Sequence, residues 1–76
     1  MKLCQLKVGD KATITKIDST YIYYNRLIKM GVTIGEKIAV LNISILGSPI
    51  LINVCGYNLC IGKQIAKHID VKLSLV

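Results

Sequence analysis

Four side chains in this 76-residue chain could ligate a soft metal or act as a nucleophile: Cys4, Cys55, Cys60 and His68. Cys55 and Cys60 stand out, because the residues between them read as a tight hairpin turn. If Gly56-Tyr57 is the two-residue loop, Cys55 pairs with Asn58, Val54 with Leu59 and Asn53 with Cys60. The two thiols then lie diagonally across neighbouring strands on one face, near enough for a soft metal or a disulfide. Against this, two thiolates are half a metal site, C-x4-C is not a usual ligand spacing, and Cys often serves as a small buried apolar residue. The expectation is structural thiols, with Cys55 and Cys60 as weak metal candidates, no assigned metal or cofactor, and His68 on the surface.

Catalysis needs a nucleophile or an acid/base pair held in place by a third group. The four acids, Asp10, Asp18, Glu36 and Asp70, are far apart in sequence, and Asp10, Asp18 and Glu36 fall in turns or at a helix start. No glycine loop followed by Lys-Ser or Lys-Thr is present to cradle a phosphate. The chain reads as a non-enzyme. Ten basic residues give a net charge of +6, but they are spread along the chain and include one arginine, Arg26. Scattered lysines are how a small apolar domain stays soluble, whereas nucleic-acid readout favours clustered Arg and aromatics.

The elements that must position these groups are mostly strands. Hydrophobic residues make up 53% of the chain and are chiefly Ile, Leu and Val, with no Phe or Trp, a composition suited to sheet faces. Residues 38–62 carry no charge, long enough for a membrane helix, but Leu46-Gly47-Ser48-Pro49 is turn chemistry and Asn42, Asn53 and Asn58 interrupt the run. Two strands and a hairpin fit better, in a domain not embedded in a membrane. Leu3 and Leu6 open a short lead-in, and Gly9-Asp10 turns into a first strand from Lys11, with Ala12 and Ile14 inward until Ile17 shifts the parity.

Asp18-Ser19-Thr20 can cap a helix over about residues 20 to 30, ended by Gly31. That helix would place Tyr23, Leu27 and Met30 on its inner face, with Asn25, Arg26 and Lys29 outward. A second strand runs from Lys37 to Leu46; apolar residues on both its sides suggest burial on both faces or a bulge that switches them. Ile50, Ile52 and Val54 form a third strand, joined by Leu59 and Ile61 of a fourth. Ile65, Ala66 and Ile69 lie inward from a short helical turn, and Asp70 to Leu75 closes the sheet. With odd-numbered cysteines and no signal-peptide layout, the expected setting is the reducing cytoplasm. The whole is one domain over residues 1–76, all-β: a small SH3-like barrel of about five strands with one inserted helix and a short helical turn near the C-terminus.

The order of these features resembles the FeoA family over about residues 3 to 72. The resemblance is carried by Leu3-x-x-Leu6-x-x-Gly9, Ile14 and Ile17, Arg26-Leu27 with Met30-Gly31-Val32 and Gly35, Leu46-Gly47-Ser48-Pro49-Ile50, Gly56-Tyr57, and Ala66 with Ile69 and Val71. Ser48 departs from the acid usual before the family's proline. The resemblance implies a non-enzymatic cytoplasmic accessory of bacterial ferrous iron uptake, acting by contact with the cytoplasmic region of FeoB, a membrane transporter with a guanine-nucleotide-binding domain. Tyr21, Asn25, Arg26 and Lys29 on the helix, with the Tyr57 turn, are the expected partner-binding residues. Arg26 could reach a nucleotide as an arginine finger does; pairing with a nearby acid is the plainer role. Rival readings are a regulatory module of a DtxR-type metal-dependent repressor and a small basic nucleic-acid-binding barrel. Self-association stays open.

Overall fold

The computed structural model describes residues 1–74. A 3-10 turn at Leu3–Gln5 leads into β1 (Lys11–Ile17), α1 (Tyr24–Lys29), β2 (Lys37–Ile43), β3 (Ile50–Val54), β4 (Tyr57–Ile61), α2 (Lys63–Ala66) and β5 (Ile69–Leu73). The expected extension of β5 to Leu75 lies outside the described residues. The strands make one antiparallel sheet in the order β4-β3-β2-β1-β5, curled as a small SH3-like barrel around an aliphatic core. No buried polar or charged residue is present among the described residues. No helix among them is long and apolar enough to cross a membrane.

Two bulges account for the breaks in alternation. The β1–β5 register shifts between Ile14 and Lys16, so Ile14 and Ile17, an odd number of residues apart, both point inward and are buried. In β2 the shift falls between Val40 and Asn42. Val40 faces Ile52, the extra residue Leu41 is turned out to solvent, and Ile43 comes back inward opposite Ile50. The two-sided hydrophobicity of this strand is thus a change of face.

Strand β2 ends at Ile43 instead of Leu46. Gly47 takes a φ of 83°, and hydrogen bonds from Gly47 N to Ser44 O (2.7 Å) and from Ser44 N to Pro49 O (3.2 Å) close a loop over residues 44–49. Ile45 and Leu46 stand out from it, 100% and 87% exposed. Propensity favours both in a strand, yet the glycine and proline just beyond leave them no partner strand.

The β3–β4 hairpin corrects the expected register. Its two-residue loop is Cys55-Gly56, with φ of 52° and 81°, the doubly positive pattern of a type I′ turn. Val54 therefore pairs with Tyr57, Asn53 with Asn58, and Leu51 with Cys60. Relative to the expected pairing each partner moves by two residues, so the buried face is unchanged: Ile50, Ile52, Val54 and Ile61 are buried and Leu59 half-buried.

Candidate functional site

Helix α1 is shorter than its apolar pattern suggested, and the reason lies in the residues ahead of it. The Asp18 carboxylate accepts hydrogen bonds from the Thr20 hydroxyl (2.6 Å) and the Thr20 backbone N–H (3.0 Å). A side chain occupied in a local turn cannot also cap a helix. The chain makes two further turns, Tyr21 N to Asp18 O and Tyr24 N to Tyr21 O, before the helix begins at Tyr24 without a side-chain cap. Tyr23 therefore precedes the first helical residue, outside the helical period, and is exposed rather than inward. Tyr24 and Tyr21 pack against the core in its place.

The carboxyl end of α1 is closed by backbone. Val32 N bonds Leu27 O (3.0 Å) and Gly31 N bonds Ile28 O (3.1 Å), with Gly31 at a φ of 88°; this is a Schellman motif. Its apolar pair, Leu27 and Val32, is fully buried and ties the helix to the barrel. Leu27 thereby fixes which face of α1 is outward. Asn25, Arg26 and Lys29 are exposed on that face, and the two cations near the last turn also suit the helix dipole.

Arg26 has an aromatic partner instead of the expected acid: its guanidinium carbon lies 5.2 Å from the centroid of the Tyr23 ring. Tyr23 meets Tyr21 edge-on at 5.6 Å, and Tyr21 stacks on the His68 imidazole at 3.8 Å. His68 Nδ1 is 3.3 Å from an Asp18 oxygen, and Asp18 N donates to His68 O (3.0 Å). A continuous run of contacts thus joins the outer face of α1 to the junction of α2 and β5. The Thr20 hydrogen bonds, more than the contact with His68, hold the Asp18 carboxyl below the usual carboxylate range. Tyr23 is the exposed residue of this run that sequence reasoning missed, and only the turn chemistry of Asp18-Ser19-Thr20 could have found it.

At the other end of α1, the β3–β4 turn rests on Gly31. A methyl at Gly31 would meet Cys55 Sγ at 3.0 Å and the Tyr57 hydroxyl at 3.1 Å. The turn therefore places Tyr57, 42% exposed, beside the end of α1. Of the five expected contact residues, Asn25, Arg26 and Lys29 share the open face, Tyr57 borders it at Gly31, and Tyr21 lies half-buried beneath Tyr23.

The expected diagonal of Cys55 and Cys60 does not form in the observed register. Cys60 is exposed on β4 opposite Leu51, while Cys55 sits in the turn with Sγ 3.4 Å from Gly31 O. The neighbouring Glu36 carboxylate favours the neutral thiol and pushes the Cys55 pKa up, and desolvation adds to the shift. A thiol so held stays protonated at neutral pH, a poor state for a nucleophile or metal ligand. Among the described residues no three His, Cys, Asp or Glu side chains converge as a metal site would require.

Comparison with known proteins adds what geometry alone does not. The chain is 29% identical over 73 residues to the Fe(2+) transport protein A/Fe(2+) transporter FeoB fusion protein of Porphyromonas gingivalis, covering 96% of this chain and 9% of that protein's length. The solution structure of the FeoA protein from Chlorobium tepidum superposes with a TM-score of 0.88 at 36% identity, over 100% of this chain and 71% of that one. The zinc complex of Stenotrophomonas maltophilia FeoA, described as a prokaryotic SH3 domain protein, shares the fold at a TM-score of 0.81 and 21% identity, over 95% of this chain and 89% of that one. The FeoA domain family model matches residues 1–73, the span that holds every element described above, and the chain belongs to the FeoA family.

Proposed function

We propose that this domain is a non-enzymatic cytoplasmic accessory of ferrous iron uptake that works by binding the cytoplasmic region of a FeoB-type transporter through the α1 surface. The observation that carries the reading is the fused relative, in which a sequence similar to this chain is joined to a FeoB transporter in one polypeptide. Fusion keeps two modules at high effective concentration, which favours pairs that act by contact. The α1 surface supports the reading as well. Arg26 lies over an exposed Tyr23, with Tyr57 at the helix end, and Arg and Tyr are the residue types that dominate the energetics of protein interfaces. Substitution at Arg26 and Tyr57 leaves the buried core untouched.

The test is a pull-down with the cytoplasmic region of a FeoB-type transporter as bait. Arg26→Glu combined with Tyr57→Ala is expected to lose most of the captured protein while keeping the wild-type circular dichroism spectrum. Capture equal to wild type removes the α1 surface from the proposal.

A further inference from the structure

The outer face of the sheet, turned away from the core, carries an open trough of about 710 Å³. Three lysines placed by strand register stand among its lining residues, beside Ala39, Leu73 and Ser74. Thr13 on β1 pairs with Lys37 on β2 and with Lys72 on β5, so one row reads Lys37, Thr13, Lys72. Lys11, two residues back along β1, pairs with Ala39, whose other neighbour is Asn53. Strand spacing and rise set the three lysine Cα atoms about 8 to 10 Å apart. That is about one Debye length at physiological salt, so the three ammonium groups repel one another.

The described residues supply no counter-charge. No acid lines the trough, and three of the four acids are engaged elsewhere. Asp10 accepts the Lys7 backbone N–H at 2.7 Å, Asp18 is held by Thr20 and His68, and Asp70 pairs with Lys2 at 2.6 Å. Glu36, the fourth, stands outside the lining.

We propose that this trough binds an extended acidic segment of a partner protein. The trough is open to solvent, where a small ligand's pocket would enclose most of its occupant. An extended chain rises about 3.3 Å per residue and turns alternate side chains to one face, so carboxylates two residues apart recur about every 6.6 Å on that face, and the long lysine side chains take up the difference from their Cα spacing. Lysine is a flexible point charge that accepts a carboxylate without fixed geometry. The Thr13 hydroxyl and the Asn53 amide can hydrogen-bond the segment's main chain, and Ala39 leaves room for it to approach. Nucleic acid fits less well, since base stacking and bidentate readout use aromatics and arginine, and neither lines the trough. The trough shares no residue with the α1 surface, so it stands whether or not α1 meets a transporter.

The test uses fluorescence anisotropy of a labelled peptide alternating Glu and Ser, with a Gln-for-Glu peptide as reference. The wild-type domain should bind the acidic peptide and ignore the neutral one, weakening as salt is raised. Lys11→Gln, Lys37→Gln and Lys72→Gln together should weaken binding about tenfold, the sum expected of three exposed charge contacts. Lys7→Gln, Lys16→Gln and Lys63→Gln, the same change of net charge elsewhere, should change it less than about threefold. All six lysines are exposed, so both triples keep the core. Equal loss in the two triples would reduce the effect to net charge and overturn the proposal. So would absence of peptide binding, or tighter binding of a single-stranded oligonucleotide or a phosphatidylserine vesicle through the same three lysines.

Discussion

Gly31→Ala tests the contact between the end of α1 and the β3–β4 turn, and Gly35→Ala is its control. Both glycines have strongly positive φ, 88° and 93°, so an added methyl costs each about 1 to 2 kcal/mol in left-handed strain, offset in part by about 0.4 to 1 kcal/mol from the stiffer unfolded chain. They differ in surroundings. Around Gly35 nothing lies within 4 Å of the added carbon, whereas at Gly31 it meets Cys55 Sγ at 3.0 Å and the Tyr57 hydroxyl at 3.1 Å. The hydroxyl, at the far end of a ring, can swing aside. Sγ is one bond from a Cβ fixed by a turn at φ 52° and can yield only by moving the turn, an overpacking cost of about 1 to 3 kcal/mol. Gly35→Ala should therefore lose about 1 kcal/mol and Gly31→Ala about 2 to 3. With a urea slope near 1 kcal/mol per molar for so small a domain, the Gly31 midpoint should fall below the Gly35 midpoint by at least about 1 M, followed by circular dichroism. In a Cys55→Ala, Tyr57→Phe background most of that gap should close, as a double-mutant cycle requires of a direct contact. Equal midpoints for the two alanine variants, or a gap that survives in that background, would refute the packing of the turn on the helix end.

Three further outcomes are expected. Cys55→Asn places a residue tolerant of left-handed backbone in the first loop position of a type I′ turn and should stabilise the domain by about 0.5 to 1 kcal/mol, raising the melting temperature by about 3 to 6 °C in a thermal scan. Thr20→Val removes the strongest hydrogen bond to Asp18. Because that bond lowers the folded pKa, its contribution is whole above about pH 4 and is lost as pH falls through the folded group's lower titration. Wild type should thus exceed Thr20→Val in urea midpoint at neutral pH and match it once the carboxylate is protonated; a difference independent of pH contradicts the assignment. Ile52→Ala opens a cavity in a fully buried position on the strand between β2 and β4 and should cost about 2 to 5 kcal/mol, enough in a small domain to broaden or abolish cooperative urea unfolding.

The barrel was legible because its signals are local and mutually consistent. Alternating aliphatics marked β1, β3 and β4, and two-sided hydrophobicity in β2 left burial on both faces and a bulge open, between which the register shift at Leu41 decides for the bulge. What misled sequence reasoning was competition between turn chemistry and periodicity. Asp18-Ser19-Thr20 fits a helix cap and an Asx turn equally well by residue type, and the choice of the turn moved Tyr23 from the inner face to the surface. In the hairpin, burial could not separate two registers that differ by two residues, because both place the same side chains inward. The choice fell to the loop, where Cys55 and Gly56 take the two left-handed positions in place of the expected Gly56-Tyr57 loop. The trough was invisible for a different reason. Lys11, Lys37 and Lys72 are separated in sequence by 26 and 35 positions and become neighbours only through pairing with Thr13 and Ala39.

The ring stack of Tyr21 on His68, 3.8 Å between centroids with 14° between planes, equips the domain with a built-in spectroscopic probe. Each imidazole proton sits in the shielding cone of the phenol above it, so its magnetic resonance is displaced upfield by the ring current. Docking that lifts Arg26 from Tyr23 would tilt the next ring in line, and the His68 signals would drift back toward the values of a free imidazole. Any engagement of α1 could then be followed from the junction of α2 and β5, with no label attached to either molecule.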